Sequence, residues 1–368
     1  MSEMLINCCI SEHKRIAPLS NSLYRKSSFI DFFASKSPKR NQGLFDENRF
    51  FYKRLLSLFL MLSIGKVKLI NRLLVAPMVD VSDLPYRILC RRAGAAMAYT
   101  EMLNIGAILH TNRKTTDMMR TNERDSPSGV QITAPLVSDF KKVIPYLRKF
   151  DIVDINCGCP SIRIMDNASG SYLLRTPLKI ARYIRVLKDA GYTTTAKIRL
   201  GFKKNNVLNI AKAVEKAGAD ALTLHARMSY DSYKVPADWK WIADVKKHIG
   251  VPVIGNGDVT NGARAAEMLD CADGVMIARA AIGDPLIFSR VLHYMRTGKE
   301  QDFDSKKNLQ EFLDYLSLAQ KYDVVNLSRV KFLGGNFIKG FDGAAKARGD
   351  FMKLKGFDEI KEFVQKLL

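Results

Sequence analysis

From Met61 to about residue 300 the chain repeats one unit: a short apolar run, a turn of Gly, Asn or Asp, then an amphipathic stretch with helical spacing. The runs "LLVAPM" (73–78), "AMAYTEM" (96–102), "GVQIT" (129–133), "IVDINCG" (152–158), "TTAKIRLG" (194–201), "ADALTLHA" (219–226), "VPVIGNG" (251–257) and "DGVMIAR" (273–279) predict strands. Between them "DFKKVIPYLRKF" (139–150), "LKIARYIRVLKDAG" (178–191) and "VLNIAKAVEKAG" (207–218) predict helices, several stopping at a capping glycine. Eight strands alternating with helices over roughly 230 residues predict an α/β architecture, a (β/α)8 TIM barrel. A doubly wound open sheet is the alternative, but its first turn is usually glycine-rich, and "APMVDVSDLP" here carries no GxGxxG. After "YMRTGKE" (294–300) strands cease and 305–368 read as helices. The expected organisation is a flexible basic extension over 1–62 that need not belong to the fold, a barrel over 63–300, and a small all-helical domain over 301–368.

Composition narrows the partners. Lys and Arg number 58 against 37 Asp and Glu, giving +21 and a pI near 9.7. Such an excess suits a phosphate backbone or an anionic membrane surface. No run of about 18 apolar residues is present, so no membrane span is expected. "KRLLSLFLMLSIG" (53–65) has the basic start and apolar core of a signal sequence, but it lies far from Met1 and lacks a small-residue cleavage site. The reading is non-secretory. Cysteines at 8, 9, 90, 157, 159 and 271 form no disulfide framework and suit a reducing, cytoplasmic setting.

In such a barrel, polar residues at the carboxyl ends of strands face the active site. Gln131, Asn156, Lys197, Arg199, His225, Asn256 and Asp258 occupy those positions. Lys197 and Arg199 are two apart and share a face; if it is the interior, two desolvated cations need an anion or an electron-rich ligand. "GNGDV" (255–259) and "IARAAIGDP" (278–285) close the last two strands, where loops bind phosphate through backbone N–H groups, and Gly255 and Gly257 permit close backbone approach. A phosphorylated cofactor across the barrel mouth is expected. In "DINCGCPS" (154–161), Asp154 and Asn156 share one face and Cys157 takes the other as a packing thiol. Cys159 falls on the loop over the site, where a thiol can move a proton or attack a carbon. C-x-C lacks two further ligands nearby, so a metal is not expected.

Together with "LLVAPMVDVSDLPYR", "YTEM", "GVQI", "LHAR", "PADWKWI" and "VMIARAAIGDPLIF", "DINCGCP" resembles the tRNA-dihydrouridine synthases in residue and order from about 64 to 300, more weakly beyond. The resemblance implies an FMN-bound barrel and a helical tRNA-binding domain, with NADPH as reductant. Hydride passes to C6 of a uracil, and a cysteine, by position Cys159, protonates C5. It implies that Asn156 holds the uracil, with Arg199 on the substrate side, and that Pro77, Met78 and Val79 lie against the isoalloxazine. Gln131 and Lys197 are then its polar partners, and His225, Asn256, Gly257, Asp258, Ala278 and Arg279 form the ribityl-phosphate site. A monomer acting on tRNA, with no membrane contact, is expected.

Two departures stand out. Ala278–Arg279–Ala280–Ala281 replaces a common "GRGA", which backbone N–H groups tolerate if φ stays negative. In the tail, Arg329 and Lys331 are followed by Phe332–Leu333 where relatives carry Lys-His. Two rivals stay open at this level: another FMN barrel enzyme acting on a small molecule, and a non-catalytic RNA-binding barrel.

Overall fold

The computed structural model describes residues 61–368. The expectations for residues 1–60, including most of the apolar segment 53–65, lie outside the described residues. The last part of that segment enters a hairpin that the apolar pattern did not announce, β1 (Leu62–Ile64) with β2 (Val67–Leu69), antiparallel. Its turn needs a left-handed residue, supplied by Gly65 at φ 55°.

Eight parallel strands close into a barrel: β3 (Leu73–Val75), β4 (Met97–Asn104), β5 (Ser128–Thr133), β6 (Ile152–Cys157), β7 (Thr193–Arg199), β8 (Ala221–His225), β9 (Val253–Asn256) and β10 (Gly274–Ile277). β10 pairs with β3 and completes the ring. All eight fall within the predicted runs or within two residues of them. The predicted helix 139–150 is a helix at Val137–Val143 followed by one tighter turn at Ile144–Leu147, where Pro145 interrupts the backbone ladder.

The period of two along each strand sorts the side chains. Val130, Val153, Ile155, Cys157, Ala196, Ile198, Leu222, Leu224 and Val275 point outward into the apolar layer under the helices. Leu74, Ile152, Ala221, Ile254 and Met276 point inward at the amino-terminal end, where Leu62, Ile64 and Leu69 of the hairpin close the barrel floor. The carboxyl-terminal end of the interior is polar: Gln131, Asp154, Asn156, Arg199, His225 and Asn256 are all buried there. Apolar floor and polar mouth fix which end holds the chemistry.

Four helices follow the barrel: Ser305–Lys321, Leu327–Phe337, Ala344–Lys353 and Phe357–Leu367. Their apolar faces join the same core as the barrel. Phe312 stacks on Phe337 with centroids 5.0 Å apart, and Tyr86 from the helix Leu84–Arg92 meets Tyr315 and Phe337 edge-on. Among the described residues no helix is long and apolar enough to cross a membrane.

Candidate active site

The loop after β6 is held from within. Asn156 Oδ1 accepts the backbone N–H of Gly158 (3.2 Å) and of Cys159 (3.0 Å), a side-chain turn that sets where Cys159 sits. Asn156 Nδ2 donates to Gln131 Oε1 (2.7 Å), and Gln131 Nε2 donates to Asp154 Oδ2 (2.7 Å). Thr195 Oγ1 donates to Asp154 Oδ1 (2.6 Å). Burial pushes the Asp154 carboxyl up to about 6, against the pull of these donors and of Lys197. Asn156 and Gln131 thus form a rigid ledge, and Asn156 positions the cysteine loop. Cys157 is 0% exposed on the outer face, and burial pushes its thiol well above the ordinary range; Cys159 is half-buried at the mouth. The two thiols of C-x-C point to opposite sides of the barrel wall. Among the described residues no cluster of metal-ligating side chains forms.

The adjacent strand brings the cations. Lys197 Nζ donates to Asn256 Oδ1 (3.0 Å), and Asn256 Nδ2 donates to Met276 O (2.8 Å). Burial first, then Arg199, lower the Lys197 ammonium to about 8, partly offset by Asp154 and Cys159. Arg199 Nε donates to Gly158 O (2.9 Å) and Nη1 to Met228 O (2.8 Å), tying the cysteine loop to the loop after β8. Burial lowers its guanidinium too. Among the described residues neither Lys197 nor Arg199 has a carboxylate within ion-pair distance. Two cations crowded without a partnered acid favour an electron-rich or anionic ligand.

The opposite rim is a basic cradle. His225 Nε2 lies 3.0 Å from Arg227 Nη1. A guanidinium only donates, so Nε2 accepts and the imidazole proton sits on Nδ1. Burial, then Lys197, Arg199, Arg227 and Arg279, hold His225 neutral far below its ordinary range. Asp258 takes Arg227 through both carboxylate oxygens (2.8 and 2.7 Å), Arg279 at 2.9 Å, and the N–H of Ala237 at 2.8 Å. Its carboxylate is therefore a brace for two arginines, and only its backbone is free to meet a ligand. Gly257 has φ 115°, and a Cβ there would meet Ala237 Cβ at 2.8 Å and His225 Cδ2 at 3.0 Å, so glycine is required. Gly255, expected to admit a ligand, instead faces outward: a Cβ would collide with Met268 of the helix Gly262–Cys271. Ala278 has φ −119°, so its backbone does not adopt the left-handed conformation that would reserve the position for glycine.

The loop after β3 carries Pro77 and Met78, half-buried, and Val79, exposed. It is pinned by Ser82 Oγ, which accepts the N–H of Met78 (2.9 Å), and by Glu101 Oε2, which accepts that of Asp80 (2.7 Å). Glu101 reaches it because β4 carries one extra residue between Tyr99 and Met102 relative to β5. Glu101 Oε1 in turn accepts from Arg329 Nη2 (2.6 Å), and Arg329 Nη1 donates to Asp83 Oδ2 (3.1 Å). Arg227, Glu101 and Asp83 were not singled out from the sequence, and Arg329 was noted only as a residue of the helical tail, not as a partner of the barrel mouth. Arg227 and Glu101 lie inside quoted motifs, "LHAR" and "YTEM"; a charge in an apolar strand was the available signal for Glu101, and a charge just beyond a strand end for Arg227.

A closed parallel barrel with an apolar floor, a polar mouth, a half-buried thiol and a basic cradle is a β/α-barrel enzyme with a site for an anionic, electron-rich ligand. Residues 74–368 match the family model described as dihydrouridine synthase (Dus), and the chain belongs to that family. It is 37% identical over 245 residues to a tRNA-dihydrouridine synthase B of Pseudomonas putida, covering 64% of this chain and 72% of that protein. It is 32% identical over 307 residues to the protein of the same name from Pseudomonas aeruginosa, covering 80% and 92%. Among solved structures, histamine dehydrogenase from Rhizobium sp. 4-9 aligns with a TM-score of 0.50 at 14% identity, over 72% of this chain and 51% of that one, which is a likeness of fold.

Proposed function

We propose that the protein is a tRNA-dihydrouridine synthase that reduces the C5=C6 bond of a uridine in tRNA, using FMN held in the barrel mouth and NADPH as reductant. The observation that carries this reading is the placement of Cys159 on a loop anchored by Asn156 and Arg199, beside the half-buried Lys197 and the buried Arg199, neither of which has a carboxylate within ion-pair distance. The polar lining fits a flavin. Lys197 and Gln131 would meet the polar edge of the ring, and Pro77, Met78 and Val79 its face. His225 through Nδ1–H, and the backbone of Asn256, Gly257, Asp258, Ala278 and Arg279, would hold the ribityl phosphate. Bound there, the flavin supplies hydride for C6 of the uracil.

The chain's own groups supply the rest. Hydride arrival at C6 builds negative charge over C5 and the C4 carbonyl, which Lys197 and Arg199 stabilise in a water-poor setting. The Cys159 thiol gives its proton to C5. Asn156 orients the uracil and holds the Cys159 loop at once. The target base must leave the RNA stack to enter the mouth, which the +21 charge assists by binding backbone phosphates. In this reading residues 63–300 are the catalytic domain and 301–368 the tRNA-binding domain of a cytoplasmic monomer.

The test is direct. Purified protein should show a flavin absorbance spectrum, and tRNA from a strain lacking the gene should lose dihydrouridine at one or more positions. Colourless protein together with an unchanged dihydrouridine content would overturn the proposal.

A further inference from the structure

Beside the mouth lies a second concave feature that the proposed reaction does not use. A cavity of about 380 Å³ is lined by Met165, Asp166, Ala168, Tyr172, Phe202 and Tyr230. That volume falls within the roughly 300–1,000 Å³ range of ligand sites. Its walls come from the loops that follow β6, β7 and β8, that is, the loop that carries Cys159, the loop just beyond Arg199 and the loop beyond His225.

These loops are stitched into one frame. Ser171 N donates to Cys159 O (2.9 Å), Ser171 Oγ and Ser229 Oγ are 2.7 Å apart, and Ser229 N donates to Gly201 O (2.9 Å). A cavity so framed keeps a fixed offset from Cys159. Its aromatic rings meet edge to face: Tyr172 and Phe202 at 6.0 Å, Phe202 and Tyr230 at 5.1 Å. Phe202 is 9% exposed and braces the loops, whereas Tyr230 is 62% exposed. A large ring left that open next to a cavity adds little to loop packing.

Charge decides what the ring is for. The Arg175 guanidinium lies over Tyr172 at 4.8 Å and over Phe202 at 5.5 Å, and Lys203 and Lys204 stand exposed on the same loop as Phe202. Aromatic faces interleaved with cations suit a chain of flat rings joined by phosphates; a plain apolar peptide would leave the cations unpaired. Asp166 adds an acceptor for a base amino group.

We propose that Tyr230, with Tyr172 and Arg175, forms a stacking subsite for a nucleobase of single-stranded RNA that neighbours the reduced uridine. The inference rests on the functional reading above and deepens it. A neighbouring base held here keeps the strand splayed, so that the target base can turn into the barrel while Lys203 and Lys204 meet the flanking phosphates.

The experiment uses the full chain and a short single-stranded RNA with a central uridine, carrying fluorescent 2-aminopurine on one side of it or the other. Stacking predicts quenching on binding for one of the two placements. Tyr230→Phe keeps the quench, and Tyr230→Ala loses it with roughly tenfold weaker binding. Absence of quenching in the unmodified protein, or equal quenching and affinity in Tyr230→Ala, overturns the subsite. Dihydrouridine formation in tRNA is assayed in parallel. Its absence alongside Tyr230-dependent quenching would sink the enzymatic reading and leave RNA stacking standing.

Discussion

Arg329 and Glu101 meet at 2.6 Å in the interior, although 228 positions separate them, and the same glutamate holds the N–H of Asp80. One carboxylate thus joins a helix of the tail to the loop after β3 at the barrel mouth. Both acids facing Arg329, Glu101 and Asp83, are raised by burial and lowered again chiefly by Arg329 itself. The tail helix is part of how the mouth is built.

Arg329→Met therefore leaves two buried carboxylates without their cation. Removing one partner of a buried pair costs about 3–5 kcal/mol. Urea unfolding should show a loss of that size, and flavin should bind more weakly because Glu101, which anchors Asp80, loses the guanidinium that holds it in place. An unchanged unfolding midpoint would mean the network contributes nothing.

The two cysteines should behave oppositely. Cys159→Ala should keep its flavin and lose on the order of 10²–10⁴-fold in turnover, the usual worth of a positioned general acid. Cys157 packs on the far side of the wall, so Cys157→Ala should cost about 1 kcal/mol of stability and little activity. Reversed phenotypes would contradict the orientation of β6.

Lys197 makes the site pH-sensitive. Its ordinary value of 10.5 falls to about 8 in the folded protein, so between those limits the unfolded chain binds the extra proton and the folded chain does not. Stability of the ligand-free protein should therefore rise with pH across that window. Affinity for an anionic or electron-rich ligand should fall as pH passes about 8 and the ammonium discharges. Flavin fluorescence titrations from pH 7 to 9.5 check this, and Lys197→Met should flatten the profile while stabilising the ligand-free protein by up to about 3 kcal/mol at pH 7.

Asp258 braces Arg227 and Arg279; burial pushes its carboxyl up, but the hydrogen bonds from Arg227 and Ala237 and the charges of both arginines outweigh it and leave the group below its ordinary range. A carboxylate with a depressed folded value contributes above its unfolded value of 3.8 and loses that contribution only as pH falls below it. Asp258→Asn should abolish flavin retention, whereas the unmodified protein should keep its flavin down to about pH 5. Retention equal to the parent in Asp258→Asn would assign the cradle to the backbone alone.

The barrel, its strand positions and the facing of Asn156 and Cys157 follow from local alternation, because a period of two sends neighbouring side chains to opposite faces whatever the partner strand is. The half-buried placement of Cys159 at the mouth followed in the same way from its position beyond a strand end. Three things required the folded chain. The pairing of Arg329 with Glu101 and Asp83 depends on a contact across most of the described length, and no spacing encodes it. The occupation of Asp258 by two arginines and the outward facing of Gly255 depend on which helix or loop packs against β9. The joining of Tyr172, Phe202 and Tyr230 into one cavity depends on barrel closure, which sets three loops side by side that are dozens of residues apart in the chain. Local pattern dictates which way a side chain points; only tertiary packing decides what it meets there.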